Sequence, residues 1–379
     1  MPLPWTWIQR DSGAPAGINF SYYGCFAFGK FWIPLQNGAG VSVSDDGIAW
    51  GTVNVGQGLN TVWRVKLVNG LLYAIGLGGF AARSADGVTW DTCTTGTTQA
   101  IYDIADGGSR YIYCGTGGVV RYSTNADLSG SAAVTGTNTS DVYYGIEIVG
   151  SVYRIAGTYN VATPGMVTLT SSSGTSWSRT LSSTLSPLRF ICKVGDFWFR
   201  GGVEYNTSNS PALWRSNDGV SWVAVPLPAE YAGYPLVMAY IAGRYIIAGT
   251  TGSAAFSYDG VTFEVFNPGF SETAAIRGLF EGEQTVVMSA GSSAGGIELR
   301  TAFIEPQRFF GTVRDKTGAL VSRKVLAIRE ATDVVVHAAM SDPTTGAYQL
   351  ETPYYEPHTL VFDGEPDRNA LVFSGVMPG

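Results

Sequence analysis

Short apolar strands separated by glycine turns recur along most of the chain. Each unit begins with an apolar strand, turns at a glycine and continues into a second strand rich in aromatic residues, such as Phe31-Trp32-Ile33 or Tyr245-Ile246-Ile247-Ala248. This alternation of strands and turn residues predicts β-hairpins. The turns stand at seven positions along the chain: Gly29, Gly70, Gly108, Gly150, Gly195, Gly243 and Gly282.

A second motif, S-x-D-G-x-x-W/F, follows the hairpin in several units. Asp-Gly favours a tight turn, because glycine accepts a positive φ and the Asp carboxylate can accept hydrogen bonds from nearby backbone N–H groups. We expect the aromatic residue that follows to be buried between neighbouring sheets. The four full copies contain Asp46, Gly47 and Trp50; Asp86, Gly87 and Trp90; Asp218, Gly219 and Trp222; and Asp259, Gly260 and Phe263.

The combined repeat predicts the architecture. Two weaker copies of the second motif begin at Ser171 and Ser123, and the full period is about 38 to 48 residues with four strands in each unit. That period fits one blade of a β-propeller and is too long for a solenoid coil of 20 to 30 residues. The sequence therefore predicts an all-β, seven-bladed β-propeller of four-stranded blades.

The two ends of the repeat region indicate how the ring closes. The seventh unit runs through residues 286–288 and 297–303 and then leaves the repeat without an Asp-Gly turn. Trp5-Thr6-Trp7-Ile8-Gln9 has the character of the outer strand that this unit lacks. We expect it to complete the seventh blade, which would remove an exposed sheet edge.

The last part of the chain follows neither repeat. Short alternating strands are predicted at residues 310–315, 325–329, 334–338, 347–350, 355–362 and 371–376. Strands of this length separated by turns are typical of a small β-sandwich. We therefore divide the chain into a propeller over residues 1–304 and a β-sandwich domain over residues 305–379.

Composition excludes several classes of function. Charged residues make up 14% of the chain and the net charge is −7, so the electrostatic attraction to nucleic-acid phosphates is missing and we expect no nucleic-acid partner. The N-terminus lacks the pattern of a secretory signal, and no apolar run is long enough for a membrane span. Cys25, Cys93, Cys114 and Cys192 have no C-x-x-C spacing, which indicates neither a zinc site nor a disulfide framework.

Two groups of residues carry a family resemblance. The S-x-D-G-x-x-W turns resemble the Asp-boxes of sialidase-type propellers, although here the glycine directly follows the aspartate. The C-terminal segments Gly311-Thr312-Val313-Arg314-Asp315, Gly346-Ala347-Tyr348 and Asn369-Ala370-Leu371-Val372-Phe373 resemble the carboxypeptidase-regulatory-like β-sandwich modules that end many tailed-phage virion proteins.

The combination implies a structural protein of a phage or prophage virion, placed in the tail for host recognition or for docking. Its implied partners are other virion proteins of the tail or collar, and a glycan or protein on the host surface. Virion proteins repeat by symmetry, so a homo-oligomer is expected. The implied location is the virion, assembled in the host cytoplasm.

The alternative is a propeller-fold enzyme acting on glycans, such as a sialidase or another glycosidase. Strand arginines recur at Arg64, Arg121, Arg154, Arg200, Arg244 and Arg277. No spacing singles out a catalytic set, and the repeat assigns Asp46, Asp86, Asp218 and Asp259 to turns. We therefore expect no catalytic residues and no cofactor; a third possibility is an architectural collar or head protein that binds no receptor.

Two weaker metal hypotheses fall in the C-terminal domain. His337 and His358 could contribute to a zinc site, although solvated histidines explain them as well. Asp363-Gly364-Glu365-Pro366-Asp367 could bind calcium through oxygen ligands, although an acidic surface loop is the commoner meaning of such a run.

Aromatic residues mark the beginning of the first strand in several units. They include Tyr22 and Tyr23, Trp63, Tyr102, Tyr143 and Tyr144, and Phe190. If they project at the mouth of the central channel, they form a ring suited to stacking on sugars, and we take Tyr23, Trp63, Tyr102 and Tyr144 as the candidate ligand-binding residues. Packing between blades is the alternative explanation.

Overall fold

The chain divides into two compact units. In the computed structural model the described residues are 5–15, 17–159, 165–182, 188–204, 210–282, 285–292, 296–304, 307–313, 319, 323–329, 334–352, 358–362 and 371–376. One unit comprises Met1–Ile241 and Tyr245–Ala302, and the other comprises Ala242–Arg244 and Phe303–Gly379. The helical segments described are two single 3₁₀ turns, Leu77–Gly79 and Thr250–Gly252, and neither is long enough to cross a membrane.

The first unit is built from seven four-stranded antiparallel sheets, as the repeat predicts. Blade 1 consists of β2 (Cys25–Ala27), β3 (Lys30–Pro34), β4 (Val41–Ser44) and β5 (Gly51–Val53). Blade 2 consists of β6 (Val62–Val68), β7 (Leu71–Gly76), β8 (Ala81–Ser84) and β9 (Asp91–Thr92). Blade 3 consists of β10 (Ile101–Asp106), β11 (Tyr111–Gly115), β12 (Val120–Ser123) and β13 (Ala132–Ala133). Blade 4 consists of β14 (Val142–Val149), β15 (Val152–Tyr159), β16 (Gly165–Ser171) and β17 (Ser178–Ser182). Blade 5 consists of β18 (Leu188–Val194), β19 (Phe197–Glu204), β20 (Ser210–Ser216) and β21 (Val223–Val225).

Blades 6 and 7 complete the ring. Blade 6 consists of β22 (Pro235–Ile241), β23 (Arg244–Gly249), β24 (Ala254–Ser257) and β25 (Glu264–Phe266). Blade 7 consists of β26 (Ala275–Glu281), β27 (Thr285–Ser292), β28 (Gly296–Phe303) and the N-terminal strand β1 (Ile8–Arg10). The all-β propeller fold expected from the sequence is confirmed.

The hydrophobic core lies between adjacent blades. Trp32 of blade 1 and Trp90 of blade 2 pack edge to face with ring centroids 6.0 Å apart, and both belong to a cluster shared by the two sheets. Corresponding clusters join blades 2 and 3, 3 and 4, 4 and 5, 5 and 6, and 7 and 1. Blades 1 to 5 are thus covered on both faces, which explains why their strands are apolar without strict alternation.

The Asp-Gly turns are stabilised by hydrogen bonds within the turn, and they also contact the preceding blade. In blade 2, Asp86 Oδ1 accepts hydrogen bonds from the backbone N–H groups of Val88 and Thr89, both at 2.8 Å. These two hydrogen bonds hold the pKa of the Asp86 carboxyl below its ordinary value, and the bond from Thr89 has the larger effect. A Cβ on Gly87 would lie 2.6 Å from Cζ2 of Trp32. The turns at Asp46, Asp218 and Asp259 have the same hydrogen bonds.

The two ends of the propeller are paired in blade 7. Strand β1 runs antiparallel to β28, with Ile8 opposite Thr301 and Arg10 opposite Leu299. The strand starts three residues later than the sequence suggested, and the aromatic residues before it make ring contacts. The Trp5 and Trp7 rings are 6.0 Å apart, and Trp7 stacks on Phe266 at 6.1 Å.

The second unit contains two sheets that share one core. Strand β29 (Gln307–Thr312) pairs with β32 (Ala347–Thr352), and a four-stranded sheet has the order β31 (Val334–Met340), β30 (Lys324–Arg329), β33 (His358–Phe362) and β34 (Leu371–Val376). The core consists of Val313, Val325, Ala327, Leu350 and Leu360.

The structure bears on only one of the two metal hypotheses in this unit. His337 lies on β31 and His358 on β33, so the whole of β30 stands between the two histidines. The acidic run over residues 363–367 lies outside the described residues. Within the described part of the chain, no group of three or more His, Cys, Asp or Glu side chains is placed to hold a metal ion.

Candidate functional site

A cavity of about 340 Å³ lies where the innermost strands of the blades begin. Its lining includes at least one residue from each of the seven blades, which places the cavity on the propeller axis. The lining residues are Tyr22, Tyr23, Trp63, Tyr102, Tyr144, Arg189, Tyr234, Leu236, Thr250 and Arg277. We call this space the axial cavity.

In five blades the lining residue is the extra residue of a β-bulge. In blade 2, Val62 pairs with Gly76 and Arg64 with Ile75, so Trp63 has no partner in the ladder. The same interruption falls at Tyr102, Tyr144, Arg189 and Arg277. A bulge bends its strand and redirects the side chain of the extra residue. The repeated bulge therefore explains why these residues converge on one space.

Four aromatic rings form a continuous arc along one side of the axial cavity. The centroids of Tyr22 and Trp63 are 4.2 Å apart, and those of Trp63 and Tyr102 are 5.3 Å apart. Tyr102 and Tyr144 stack with centroids 5.4 Å apart and planes 17° from parallel. We call these four residues the aromatic arc. Ring contacts of this kind order the side chains and leave little freedom to lose when a ligand binds.

An arginine stands at each end of the aromatic arc. The Arg189 guanidinium carbon lies 4.8 Å from the centroid of Tyr144, and that of Arg277 lies 5.7 Å from the centroid of Tyr22. Neither arginine forms an ion pair with a described residue. The axial cavity thus combines an apolar aromatic wall with two cations.

Burial holds two phenols of the cavity, those of Tyr22 and Tyr102, in their neutral form. Burial raises the pKa of Tyr102 to about 12, and the nearby phenol of Tyr144 adds to this effect. Burial also raises the pKa of Tyr22, and the positive charge of Arg277 only partly offsets it. The ten lining residues include no carboxylate, histidine or thiol, so the lining offers no general acid or base that titrates near pH 7.

A buried ion cluster supports the innermost strands beside the cavity. Asp103 Oδ1 lies 3.0 Å from Lys66 Nζ and 3.3 Å from Arg64 Nε, and its other oxygen accepts a hydrogen bond from the N–H of Ile146 at 3.0 Å. These contacts join blades 2, 3 and 4. Arg64 in turn lies over the ring of Tyr23, 4.6 Å from its centroid, which fixes that lining residue.

The structure brings together all four residues proposed for ligand binding from the sequence. Tyr23, Trp63, Tyr102 and Tyr144 line the axial cavity, and their binding role stays a prediction. Interblade packing and exposure to the cavity turn out to be compatible, because the rings of the arc contact one another across blade boundaries. Two further aromatic residues from the same pattern, Tyr143 and Phe190, are buried in interblade clusters instead.

Sequence reasoning missed Arg189, Tyr234, Leu236 and Thr250 as lining residues. A signal for two of them exists, because Arg189 and Leu236 stand six or seven residues before a hairpin glycine, as Trp63 does. The recurrent strand arginines do not gather at one site. Arg277 lines the cavity, whereas Arg154 donates through Nε to the carbonyl oxygen of Gly219 at 2.7 Å.

Comparison with known proteins places the fold. The sequence matches no protein-family description and no curated protein. A structure of YCF48 bound to a D1 peptide superposes with a TM-score of 0.59 at 14% identity, over 79% of this chain and 95% of that one. A streptogramin B lyase gives a TM-score of 0.62 at 10% identity, over 78% and 97% of the two chains. The WD40 β-propeller domain of Doa1 gives a TM-score of 0.53 at 10% identity, over 82% of this chain and 99% of that one.

At these identities the likeness concerns the fold alone. The similar structures include a lyase, a protein with a bound peptide and a WD40 domain, so the fold alone does not determine a function. The chain is therefore a β-propeller protein whose function must be argued from its own site.

Proposed function

We propose that this protein is a non-enzymatic recognition module of a phage virion, with the axial cavity as its receptor site for a host-surface saccharide. The observation that carries the proposal is the convergence of seven blades on one cavity with a preformed aromatic wall. The tail position and the virion location rest on the resemblance of the C-terminal segments to phage virion modules.

The chemistry of the cavity suits a saccharide. A pyranose ring has an apolar face of C–H groups that packs against an aromatic ring, and hydroxyl groups at its edge that accept and donate hydrogen bonds. The aromatic arc offers the flat surfaces, while Arg189, Arg277 and the phenols offer polar contacts beside them. A volume of about 340 Å³ matches a site for one or two sugar rings rather than a long polymer.

Binding is favoured over turnover by what the lining contains. Glycoside hydrolysis by two carboxylates needs an acid and a base or nucleophile at the scissile bond. The lining residues are aromatic, aliphatic, hydroxyl-bearing or arginine side chains, and burial holds the phenols of Tyr22 and Tyr102 in their neutral form. A module of this kind contributes affinity, and several copies in one virion would raise the avidity further.

The first experiment tests the site. Purified wild-type protein and the variants Trp63→Ala and Tyr102→Ala are applied to an array of bacterial surface glycans. We expect the wild type to bind a restricted set of glycans and both variants to lose at least about fivefold in affinity, since a ring stacked on an aromatic surface contributes on the order of 1 kcal/mol or more. Tyr258→Ala, which alters an exposed ring on a repeat turn outside the cavity, is the control.

The second experiment tests the biological setting. A gold-labelled antibody against this protein is applied to virions from the source, and soluble protein is tested as a competitor of virion adsorption. Label at the tail and inhibition by wild type but not by Trp63→Ala would support host recognition. Label at the collar or head without inhibition would leave an architectural protein, and unlabelled particles would reject the virion assignment.

A further inference from the structure

Two buried donors in the axial cavity have no acceptor in the protein. The indole Nε1 of Trp63 and Nη1 of Arg277 are both buried, and neither has a hydrogen-bond partner among the described residues. A buried donor without a partner costs free energy, and more so when it carries charge. Both residues line the cavity, so a ligand there would lie beside two donors that the protein leaves unsatisfied.

The charge of the cavity is also unbalanced. Arg189 and Arg277 contribute two positive charges, and the lining residues include no acid. Asp103, a buried carboxylate beside the cavity, is already held by Arg64 and Lys66 at 3.3 and 3.0 Å, and Glu147 interacts with the charges of the same two cations. The charge of Asp103 therefore compensates those two cations and not the arginines of the cavity.

The positions of the two arginines suit an anionic group on a stacked ring. They come from blades 5 and 7, and Leu236 of blade 6 lines the wall between them. The aromatic arc occupies the other four blades. A ligand that lies against the arc would therefore direct its far edge toward the side that carries both guanidinium groups. A planar guanidinium pairs well with a carboxylate or sulfate, because its N–H groups match two anionic oxygens.

We infer that the axial cavity selects acidic saccharides, in which a carboxylate or sulfate on the sugar meets Arg277 and Arg189 while the ring stacks on the aromatic arc. This inference rests on the proposed function and adds the charge of the ligand to it. The shared chemistry is an anionic sugar, and the two sources of its charge are separated by the test.

The test uses matched pairs of glycans. Uronic-acid oligosaccharides are compared with the same oligosaccharides after reduction of their carboxyl groups, and sulfated oligosaccharides with their desulfated forms. Binding is measured by calorimetry for the wild type, Arg277→Gln, Arg189→Gln and the control Arg110→Gln, whose guanidinium lies over Tyr122 outside the cavity. Melting temperatures of all variants show that each protein is folded.

We expect the wild type to bind at least one acidic form at least tenfold more tightly than its neutral partner. That preference should shrink at least fivefold in Arg277→Gln and in Arg189→Gln and remain in Arg110→Gln. It should also weaken between 50 and 500 mM salt, because salt screens the attraction of an anionic ligand to the two cations as it approaches the cavity. The pair that shows the preference, carboxylate or sulfate, identifies the source of the charge.

Two results would overturn the inference in distinguishable ways. Equal binding of acidic and neutral partners, with loss of both in Trp63→Ala, would leave the saccharide site standing and remove its selectivity for charge. Failure of every saccharide to bind in a way that depends on Trp63 would reject the proposed function together with the inference. An acidic preference that survives both arginine substitutions would place the anion elsewhere and contradict the inference.

Discussion

Thr301 and Gly47 join the last blade of the propeller to the first. The hydroxyl of Thr301 donates a hydrogen bond to the carbonyl oxygen of Gly47 at 2.7 Å, across 254 residues of sequence. Thr301 is fully buried and also stands opposite Ile8 in the pairing of β28 with β1. The ring is thus closed by a strand from the N-terminus and by a buried contact between blades 7 and 1.

Deletion of residues 1–10 should therefore lower the melting temperature by at least about 10 °C, since it removes β1 and the buried ring of Trp5. Thr301→Val should lower it by only a few degrees, because one buried acceptor is left without its donor at a cost of about 1 to 3 kcal/mol. Differential scanning calorimetry measures both changes. A deletion variant that melts with the wild type would show that β1 does not close the ring.

The close approach of a repeat turn to its neighbour gives a second prediction. Gly87 and Gly70 both have φ of +74°, but a Cβ on Gly87 would meet Trp32 at 2.6 Å whereas a Cβ on Gly70 would meet nothing within 4 Å. Gly70→Ala should cost about 1 kcal/mol from backbone strain alone, and Gly87→Ala about 2 kcal/mol more. Urea unfolding of the two variants compares them directly. Equal destabilisation would mean that Trp32 moves aside without cost.

A partly buried acid in the central strands, Glu147, predicts how stability depends on pH. Burial raises the pKa of Glu147 to about 7, and the charge of Lys66 only partly counteracts it. Between the ordinary glutamate pKa and pH 7 the folded state therefore binds more protons than the unfolded state, so stability falls as the pH rises through this window.

The substitution Glu147→Gln removes this titration. We expect it to raise the unfolding free energy at pH 8 by about 1 to 3 kcal/mol relative to its effect at pH 5. Chemical unfolding at the two pH values gives the comparison. The account of Glu147 is wrong if wild type and variant lose stability in parallel between pH 5 and pH 8.

Ligand binding should not depend on pH near neutrality. The phenols of Tyr22 and Tyr102 have raised pKa values, about 12 for Tyr102, and the lining has no carboxylate or histidine. These two phenols therefore stay neutral between pH 6 and 9. Calorimetric titrations across that range should give dissociation constants within about twofold of each other. A systematic change of tenfold would reveal a titrating group that contacts the ligand.

The repeat made most of the propeller predictable from the sequence. Glycines at fixed places in each unit mark the hairpins, and the Asp-Gly turns depend on local hydrogen bonds such as those of Asp86. Hydrogen bonds of this kind can be predicted from the sequence of one unit, and the repeat extends the prediction to the other units. The start of β1 was less predictable, because the packing of Trp7 on Phe266 decides it and the two residues are far apart in sequence.

The axial cavity was predictable only in part, for a similar reason. Trp63, Tyr102 and Tyr144 stand out as aromatic residues at equivalent positions, whereas Arg189 and Leu236 occupy the same position with other side chains. A search for aromatic residues at this position therefore finds only about half of the residues that line the axial cavity. The bulge that aims Arg189 at the axis is a property of strand pairing and cannot be read from the residue itself.

The most direct test of the account is a crystal structure of the protein with the tightest-binding glycan from the array. We predict a sugar ring in the axial cavity, packed at about 4 Å against Trp63 or Tyr102, with its polar edge toward Arg277. A glycan bound on the rim of the propeller or on the C-terminal unit, with the cavity free of ligand, would contradict the central claim that the seven blades build a receptor site on their common axis.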